Sequence, residues 1–527
     1  MSDTISAKRR VLVLIRNPAA TNRLLDVLSL LDGDFRLDVF FAIDGGSAFA
    51  SDLPARLISQ GFRVMDWDHA LSQRFDLVLA ASDNSDLHRV RAPLVLLPHG
   101  VGYHRVTKTG VPSGISGTAL IHNEHIVPRL LVVAHPHQVD TIRAIDPRLV
   151  PRTLVAGDPC LDRIVASSRR RDRFRIAFDT QDRHLVTVAS TWGKHSLFGT
   201  HPELAARLVH ELPLDRFRVA LVLHPNVSAH HSPQRVRSWL RPALDAGLIA
   251  LPPEEGWRAA ILASEIIISD HSSVTCYALG AGKPVLMAAD GGPEVVLNSP
   301  MDALRNALPA LNHGDALQPQ IEQAMAKFDP TALLPLTDNI FAHRAQSAQV
   351  LRTALYHILD LPEPRNTARL PPIPDPVVQR EDPDALRVNG EVTAHTAGHP
   401  TVHLERFVAT AESDDAPGHL AVQDTAADPA LLERAAVIWT ATAYNPNAAT
   451  EWLANIHANY PGACLASVKI GDTVTMSNSD GHIFTLSTHL DAGATASAVY
   501  VCHLRGITNL THLKIHLSNT QHHSATR

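Results

Sequence analysis

IIISDHSSVTCYALGAGKPVLM, residues 266–287, runs from strand to turn to helix to strand. Residues 266–268 are an unbroken β-branched apolar run, the mark of a strand buried on both faces. Asp270, Ser272 and Ser273 are helix-capping types, and residues 274–279 can continue as a helix. Gly280 and Gly282 end that helix, and Lys283-Pro284 opens the next strand. A helix that starts at a strand's carboxyl end offers free backbone N–H groups and the positive end of its dipole. With two serine hydroxyls beside them, these donors suit a phosphate. The plain alternative is a capped helix without a ligand.

The same alternation extends in both directions. Toward the N-terminus, short apolar runs begin at Val11, Arg36, Phe62, Asp76, Pro93 and Arg129, with helical spacing of leucines over residues 22–31. A second series begins at Thr153, His184, Arg218, Leu248, Glu265 and Lys283, with helical patterns from Glu203 and Gly256. Strands alternating with helices predict parallel sheets with crossover helices. The expected fold class is α/β: two tandem Rossmann-like lobes of the GT-B type, at 9–150 and 151–360, with the ligand cleft between them. Residues 361–379 are proline-rich and lack apolar periodicity, which predicts an extended linker. Residues 380–527 carry β-like runs (AVYVCHL, residues 498–504, among them) and an Asp480-Gly481 hairpin turn. They are expected to form a small accessory α+β domain without a chemical motif.

Composition excludes several classes. Lys+Arg is 47 against Asp+Glu 53, a net charge of -6, so nothing favours nucleic acid as a partner. The four cysteines have no metal-ligand spacing and are expected to be reduced thiols. The N-terminal residues lack a signal-peptide pattern, and no apolar run approaches the ~20 residues a spanning helix needs. The expectation is a cytoplasmic protein whose membrane association, if any, is peripheral at the inner face.

In open parallel sheets ligands bind beyond the carboxyl ends of the strands. The residues that follow the strand runs there are His99-Gly100, Gly157 to Pro159, Ser190 to Trp192, His224-Pro225 and Ser269 to Ser273. In this order they resemble the CDP-glycerol glycerophosphotransferases of teichoic-acid and capsule synthesis. That family carries D-Y-S-S, a helix and K-P; Asp270, Ser272, Ser273, Lys283 and Pro284 keep the spacing. Its W-H-G is matched in part by His99-Gly100, its G-x-P-R-x-D by Gly157, Pro159 and Asp162, and its P-T-W-R by Thr191-Trp192. An H-P after a strand is matched by His224-Pro225. The resemblance covers residues 98–287. Departures are His271 for Tyr, Cys160 and Gly193 for two arginines, and Tyr277 where an acidic residue often stands. Lys194, Arg163 and Arg105 are the cations available to replace the two arginines.

The resemblance implies a metal-independent transferase without a cofactor. It would pass a glycerophosphoryl group from CDP-glycerol or a similar nucleotide-activated donor to a hydroxyl of a glycan or cell-envelope polymer, free or membrane-anchored. His99 would be the general base and His224 a catalytic donor to phosphate. Ser272, Ser273, Thr191, Gly100 and Asp270 would bind the donor, while Gly157, Pro159 and Asp162 shape the cleft floor. Two alternatives share the fold expectation: a nucleotide-sugar glycosyltransferase or UDP-sugar epimerase, and a degenerate transferase serving as a binding module.

Overall fold

A computed structural model describes residues 7–44, 53–83, 86–98, 100–101, 105–106, 114–115, 117–180, 182–396, 399–409, 417–442, 444–510 and 512–518. The first strands are β1 (Arg9–Ile15), β2 (Leu37–Ile43), β3 (Val64–Met65), β4 (Leu77–Ala80), β5 (Leu94–Leu96), β6 (Ile121–His122), β7 (His125–Ile126), β8 (Leu130–Val133) and β9 (Thr153–Val155). β6 and β7 pair only with each other; the rest form one parallel sheet in the order β3-β2-β1-β4-β5-β8-β9. The second sheet is also parallel. It contains β10 (His184–Ser190), β11 (Phe217–Leu223), β12 (Ile249–Ala250), β13 (Ile266–Ser269) and β14 (Val285–Met287), in the order β12-β11-β10-β13-β14. In both sheets the chain runs outward from a central strand and then reverses, the topology that opens a crevice at the carboxyl ends. β4, β11 and β13 are buried along their whole length, as a sheet covered by helices on both faces requires.

Two segments fall on the other side of the expected boundary at 150. β9 belongs to the first sheet, because it pairs in parallel with β8 from Leu131↔Thr153 to Val133↔Val155. The helix Ser347–Leu359 returns to the first sheet too: Leu351, Leu355, Tyr356 and Leu359 enter the same apolar core as Val11, Val13 and Leu24. Residues 361–379 have no regular secondary structure, yet they are bound to both halves: Pro362 O accepts from Arg36 at 3.0 Å and Glu363 from Arg352 at 2.8 Å, while residues 371–375 run along the second sheet's helices. Ile373 is fully buried there, its N–H donates to Ser167 Oγ at 3.1 Å, and Arg163 Nε donates to Pro371 O at 2.9 Å. Proline fixes an extended path, and the arginines of a neighbouring helix hold it.

The C-terminal sheet contains β15 (Ala385–Thr396), β16 (His399–Val408), β17 (His419–Gln423), β18 (Val437–Thr440), β19 (Leu465–Ile470), β20 (Thr473–Asn478), β21 (Ile483–Ser487) and β22 (Lys514–Leu517). Its order is β21-β20-β19-β18-β17-β15-β16-β22, with both parallel and antiparallel pairs. The Asp480-Gly481 turn joins the antiparallel pair β20–β21. AVYVCHL is not a strand but the end of the helix Ala492–Leu504, buried from Ala492 through Val499. A helix apolar on every side has no amphipathic period, so a short apolar run from it reads like a strand. This sheet docks on the second one. Val408 enters the second sheet's core, and Arg406 donates to Asp215 (2.6 and 2.9 Å) and Asp491 (2.7 Å).

Between the first two sheets lies a buried ionic cluster. Arg23 and Asp26, on the helix Pro18–Leu28, meet Asp158, Arg163, Arg258 and Tyr277. Arg23 Nη2 donates to Asp158 at 2.8 Å and to the Tyr277 oxygen at 2.7 Å. Asp26 accepts from Arg163 at 2.7 Å and from Arg258 at 2.9 Å. Charges this deep are tolerated only when paired and hydrogen-bonded on all sides.

Candidate functional site

β13 ends at Ser269, and the chain turns through Asp270 into the helix Ser273–Gly280. Asp270 is fully buried and binds backbone rather than solvent. Its carboxylate accepts the N–H groups of Thr191 (2.9 Å), Leu197 (2.9 Å) and Ser272 (3.0 Å) and the Ser190 hydroxyl (3.1 Å). Asp270 thereby ties the loop after β10 to the loop after β13. A carboxylate so surrounded positions both loops and offers nothing to an anionic ligand.

Ser272 is the N-cap residue, yet its side chain makes no cap hydrogen bond; its Oγ lies 3.2 Å from Ser269 Oγ instead. The helix start therefore has no side-chain cap on its first N–H groups, the donors that suit an anion, although the Thr275 N–H already donates to Ser272 O at 3.2 Å. Gly100, from the loop after β5, lies against this start: a Cβ at Gly100 would stand 2.8 Å from Ser273 Oγ. A larger residue there would have to displace the Ser273 hydroxyl. His99 lies outside the described residues.

His224 follows β11 and caps the helix Pro225–His231. Its Nδ1 accepts the Asn226 N–H at 3.1 Å, which places the proton of the neutral ring on Nε2. Its backbone N–H donates to Ser190 O at 3.0 Å, and the Trp192 ring centre is 6.4 Å away. Since β10 lies between β11 and β13, His224 and Ser273 flank the loop that carries Thr191 and Trp192. Gly100, Thr191, His224, Asp270, Ser272 and Ser273 are thus gathered at the carboxyl ends of the facing sheets.

Gly157, Pro159 and Asp162 stand apart, at the junction between the sheets. Gly157 has φ +77, and a Cβ would meet Ala342 O at 2.5 Å, so this turn demands glycine. Pro159 is the first residue of the helix Pro159–Ala166, capped by Asp158. Asp162 accepts the N–H groups of Ala345 (2.7 Å) and Ser347 (2.9 Å), which anchors the start of the returning helix. Burial pushes the Asp162 carboxyl upward, against those hydrogen bonds.

The departures from the resembled family have physical places. Cys160 packs beside Arg258, whose Nε donates to Sγ at 3.4 Å; burial pushes the thiol up to about 11. Tyr277 joins the ionic cluster through its hydroxyl. Lys283 donates to Leu262 O (2.8 Å) and Ser264 O (2.7 Å), and its ammonium is lowered to about 8, chiefly by burial. Of the proposed replacement cations, Arg163 is consumed by Asp26 and Pro371, and Lys194 is exposed. Arg105 reaches the site.

A network that no motif announces surrounds Arg105. Arg105 Nη2 donates to Glu294 Oε2 at 2.9 Å and Trp192 O at 3.1 Å, and its guanidinium lies 4.6 Å from the Trp192 ring centre. His271, almost fully buried, places Nε2 3.3 Å from the same carboxylate oxygen. Val106 N donates to Glu294 O at 2.8 Å, pairing the two segments' backbones. The only hint in the sequence is glycine at 193, where the family has arginine. Among the described residues no three His, Cys, Asp or Glu side chains converge to hold a metal ion, and no helix is long and apolar enough to cross a membrane.

No family model and no curated protein matches this chain. Among solved structures, it is similar to a variant of the wall teichoic acid polymerase TagF soaked with CDPG, with 11% identity, 67% of this chain and 90% of that chain covered, and a TM-score of 0.42. It is also similar to HepE of Anabaena in complex with UDP-glucose, with 13% identity, coverage of 67% and 100%, and a TM-score of 0.40. For S. aureus MnaA with UDP the identity is 10%, the coverage 68% and 100%, and the TM-score 0.40. At such identities and scores no residue role passes from these proteins to this one.

Proposed function

We propose that this protein is a transferase of the GT-B type that uses a nucleotide-activated donor, bound where the two parallel sheets face each other. The observation that carries this reading is the helix start at Ser273. It has no side-chain cap and is met by Gly100 from the opposite sheet. A diphosphate there would receive the Ser273 hydroxyl and the helix-start N–H groups, with Thr191 on the adjacent loop and His224 beyond it. These are fixed donors already aimed, the arrangement that stabilises charge as it shifts onto phosphate oxygens.

In the finer reading, the donor is CDP-glycerol. An acceptor hydroxyl oxygen bonds to the β-phosphorus, the bond from that phosphorus to the bridging oxygen breaks, and CMP leaves with the bridging oxygen. His99, next to Gly100 in the chain, takes the hydroxyl proton. The Nε2–H of His224 donates to phosphate oxygen. No metal enters these steps. The residue motifs at 98–287 favour CDP-glycerol over a nucleotide sugar. The test is nucleotide release when the purified protein is supplied with CDP-glycerol or UDP-glucose and glycerol-terminated acceptors. CMP release supports the finer reading. UDP release alone would replace it with sugar transfer. Absence of release and of binding with every donor would end the transferase reading.

A further inference from the structure

We infer that Arg105 is the phosphate-reading cation of this site, delivered from the first sheet into space that Gly193 leaves open in the second. The inference rests on the nucleotide-donor reading above and specifies which side chain recognises the diphosphate.

Gly193 has φ +102, and a Cβ built on it would stand 3.1 Å from Arg105 Nη2 and 3.5 Å from Glu294 Oε1. An arginine at 193 and the guanidinium of Arg105 would therefore compete for one place. Arg105 is also held in a defined orientation. Both of its hydrogen bonds to described residues, with Trp192 O and Glu294 Oε2, leave from Nη2, and its face lies over the Trp192 indole. His271 Nε2 lies 3.3 Å from the same Glu294 oxygen. The guanidinium is thus fixed at Nη2, and its Nε–H and the two N–H groups of Nη1 have no partner among the described residues. These are charged donors of the kind that suit phosphate oxygens. The side chain keeps a quarter of its surface exposed, so a ligand can reach it. Arg105 meets the loop that carries Thr191 and Trp192 through the Trp192 carbonyl.

Glu294 gives the proposal a second, opposite signature. Its negative charge orients Arg105 but repels a diphosphate. Replacing it with glutamine keeps a hydrogen-bond acceptor for Nη2 and removes the repulsion.

The experiment is calorimetric titration of CDP, UDP, cytidine and uridine into the full-length wild-type, Arg105→Gln, Arg105→Lys and Glu294→Gln proteins, with melting curves to show that each is folded. Arg105→Gln is expected to weaken diphosphate binding about ten- to a hundred-fold, the scale of a charge-assisted pair of hydrogen bonds. Nucleoside affinity should stay within about two-fold. Arg105→Lys, which keeps the charge and loses the guanidinium's fixed N–H groups, should fall between. Glu294→Gln should tighten diphosphate binding. If wild type binds a diphosphate and Arg105→Gln binds it equally well, this inference is overturned while the donor site stands. A variant that loses nucleoside and diphosphate affinity equally also overturns it, since Arg105 would then shape the cleft rather than read phosphate. If folded wild type binds no nucleotide, the donor reading fails and takes this inference with it. Should Arg105→Gln not fold, the comparison of Arg105→Lys and Glu294→Gln with wild type decides, because their effects on diphosphate affinity must have opposite signs.

Discussion

Removing the Asp26 carboxylate should separate the two parallel sheets more effectively than any single apolar truncation between them. Asp26 is 2% exposed, and its oxygens accept from Arg163 at 2.7 Å and Arg258 at 2.9 Å. In Asp26→Ala both guanidiniums stay buried, and the remaining anion nearby is Glu255, 3.2 Å from Arg258 and 3.7 Å from Arg163. Breaking a buried pair in this way costs about 3–5 kcal/mol, because a charge remains without compensation. At about 2–4 °C per kcal/mol for units of this size, the melting temperature should fall by roughly 6–20 °C. Asp26→Asn keeps shape and one acceptor, so it should fall less. Calorimetry resolves whether the loss lies in the transition that unfolds the paired sheets. A melting temperature for Asp26→Ala within about 1 °C of wild type would show that the cluster does not hold the sheets together, and the physical reasoning here would be wrong.

Other expectations follow from the same geometry. His419 is lowered to about 4 by burial, so the folded state holds it neutral while the unfolded chain protonates it below about 6.5. Stability present above pH 6.5 is therefore lost as pH falls toward 4, by ~1–2 kcal/mol after allowance for partial exposure, and melting curves of His419→Phe should lose that slope. Arg406→Ala leaves Asp215 unpaired where the C-terminal sheet docks, so limited proteolysis should cut that sheet at least ten times faster. His99→Ala should lower turnover roughly a hundred-fold with little change in donor affinity, whereas His224→Ala should change KM and kcat together; steady-state kinetics of both variants separates the roles.

Much of the frame was legible because its signal is local. Runs such as those at Val11, His184 and Glu265 are mostly apolar, as parallel strands buried on both faces have to be. Asp270, Ser272 and Ser273 showed a turn and helix start for the same reason: capping chemistry lies within a few residues. The fate of Asp270 was less visible, since its partners Thr191 and Leu197 are distant in sequence. Long-range pairing also escaped. Thr153 reads as the first strand of a new series, but its neighbour is Leu131 of the old one. Arg23, Asp26, Arg163 and Arg258 look like ordinary helix-surface charges until the two sheets come together. The proline-rich stretch at 361–379 signals extension, and nothing in its composition says that Ile373 is buried. At residues 498–504 the end of a largely buried helix produced the same apolar run as a strand.

On the proposed reading, a nucleoside diphosphate binds at the helix start of Ser273, between the facing sheets. A crystal of the full-length protein soaked with CDP tests it most directly, with Ser273→Ala titrated in parallel. The expected result is phosphate density within hydrogen-bonding distance of the Ser273 hydroxyl and the helix-start N–H groups, and a loss of ~1–2 kcal/mol of affinity in the variant. Diphosphate bound elsewhere, or unchanged affinity in Ser273→Ala, would contradict it.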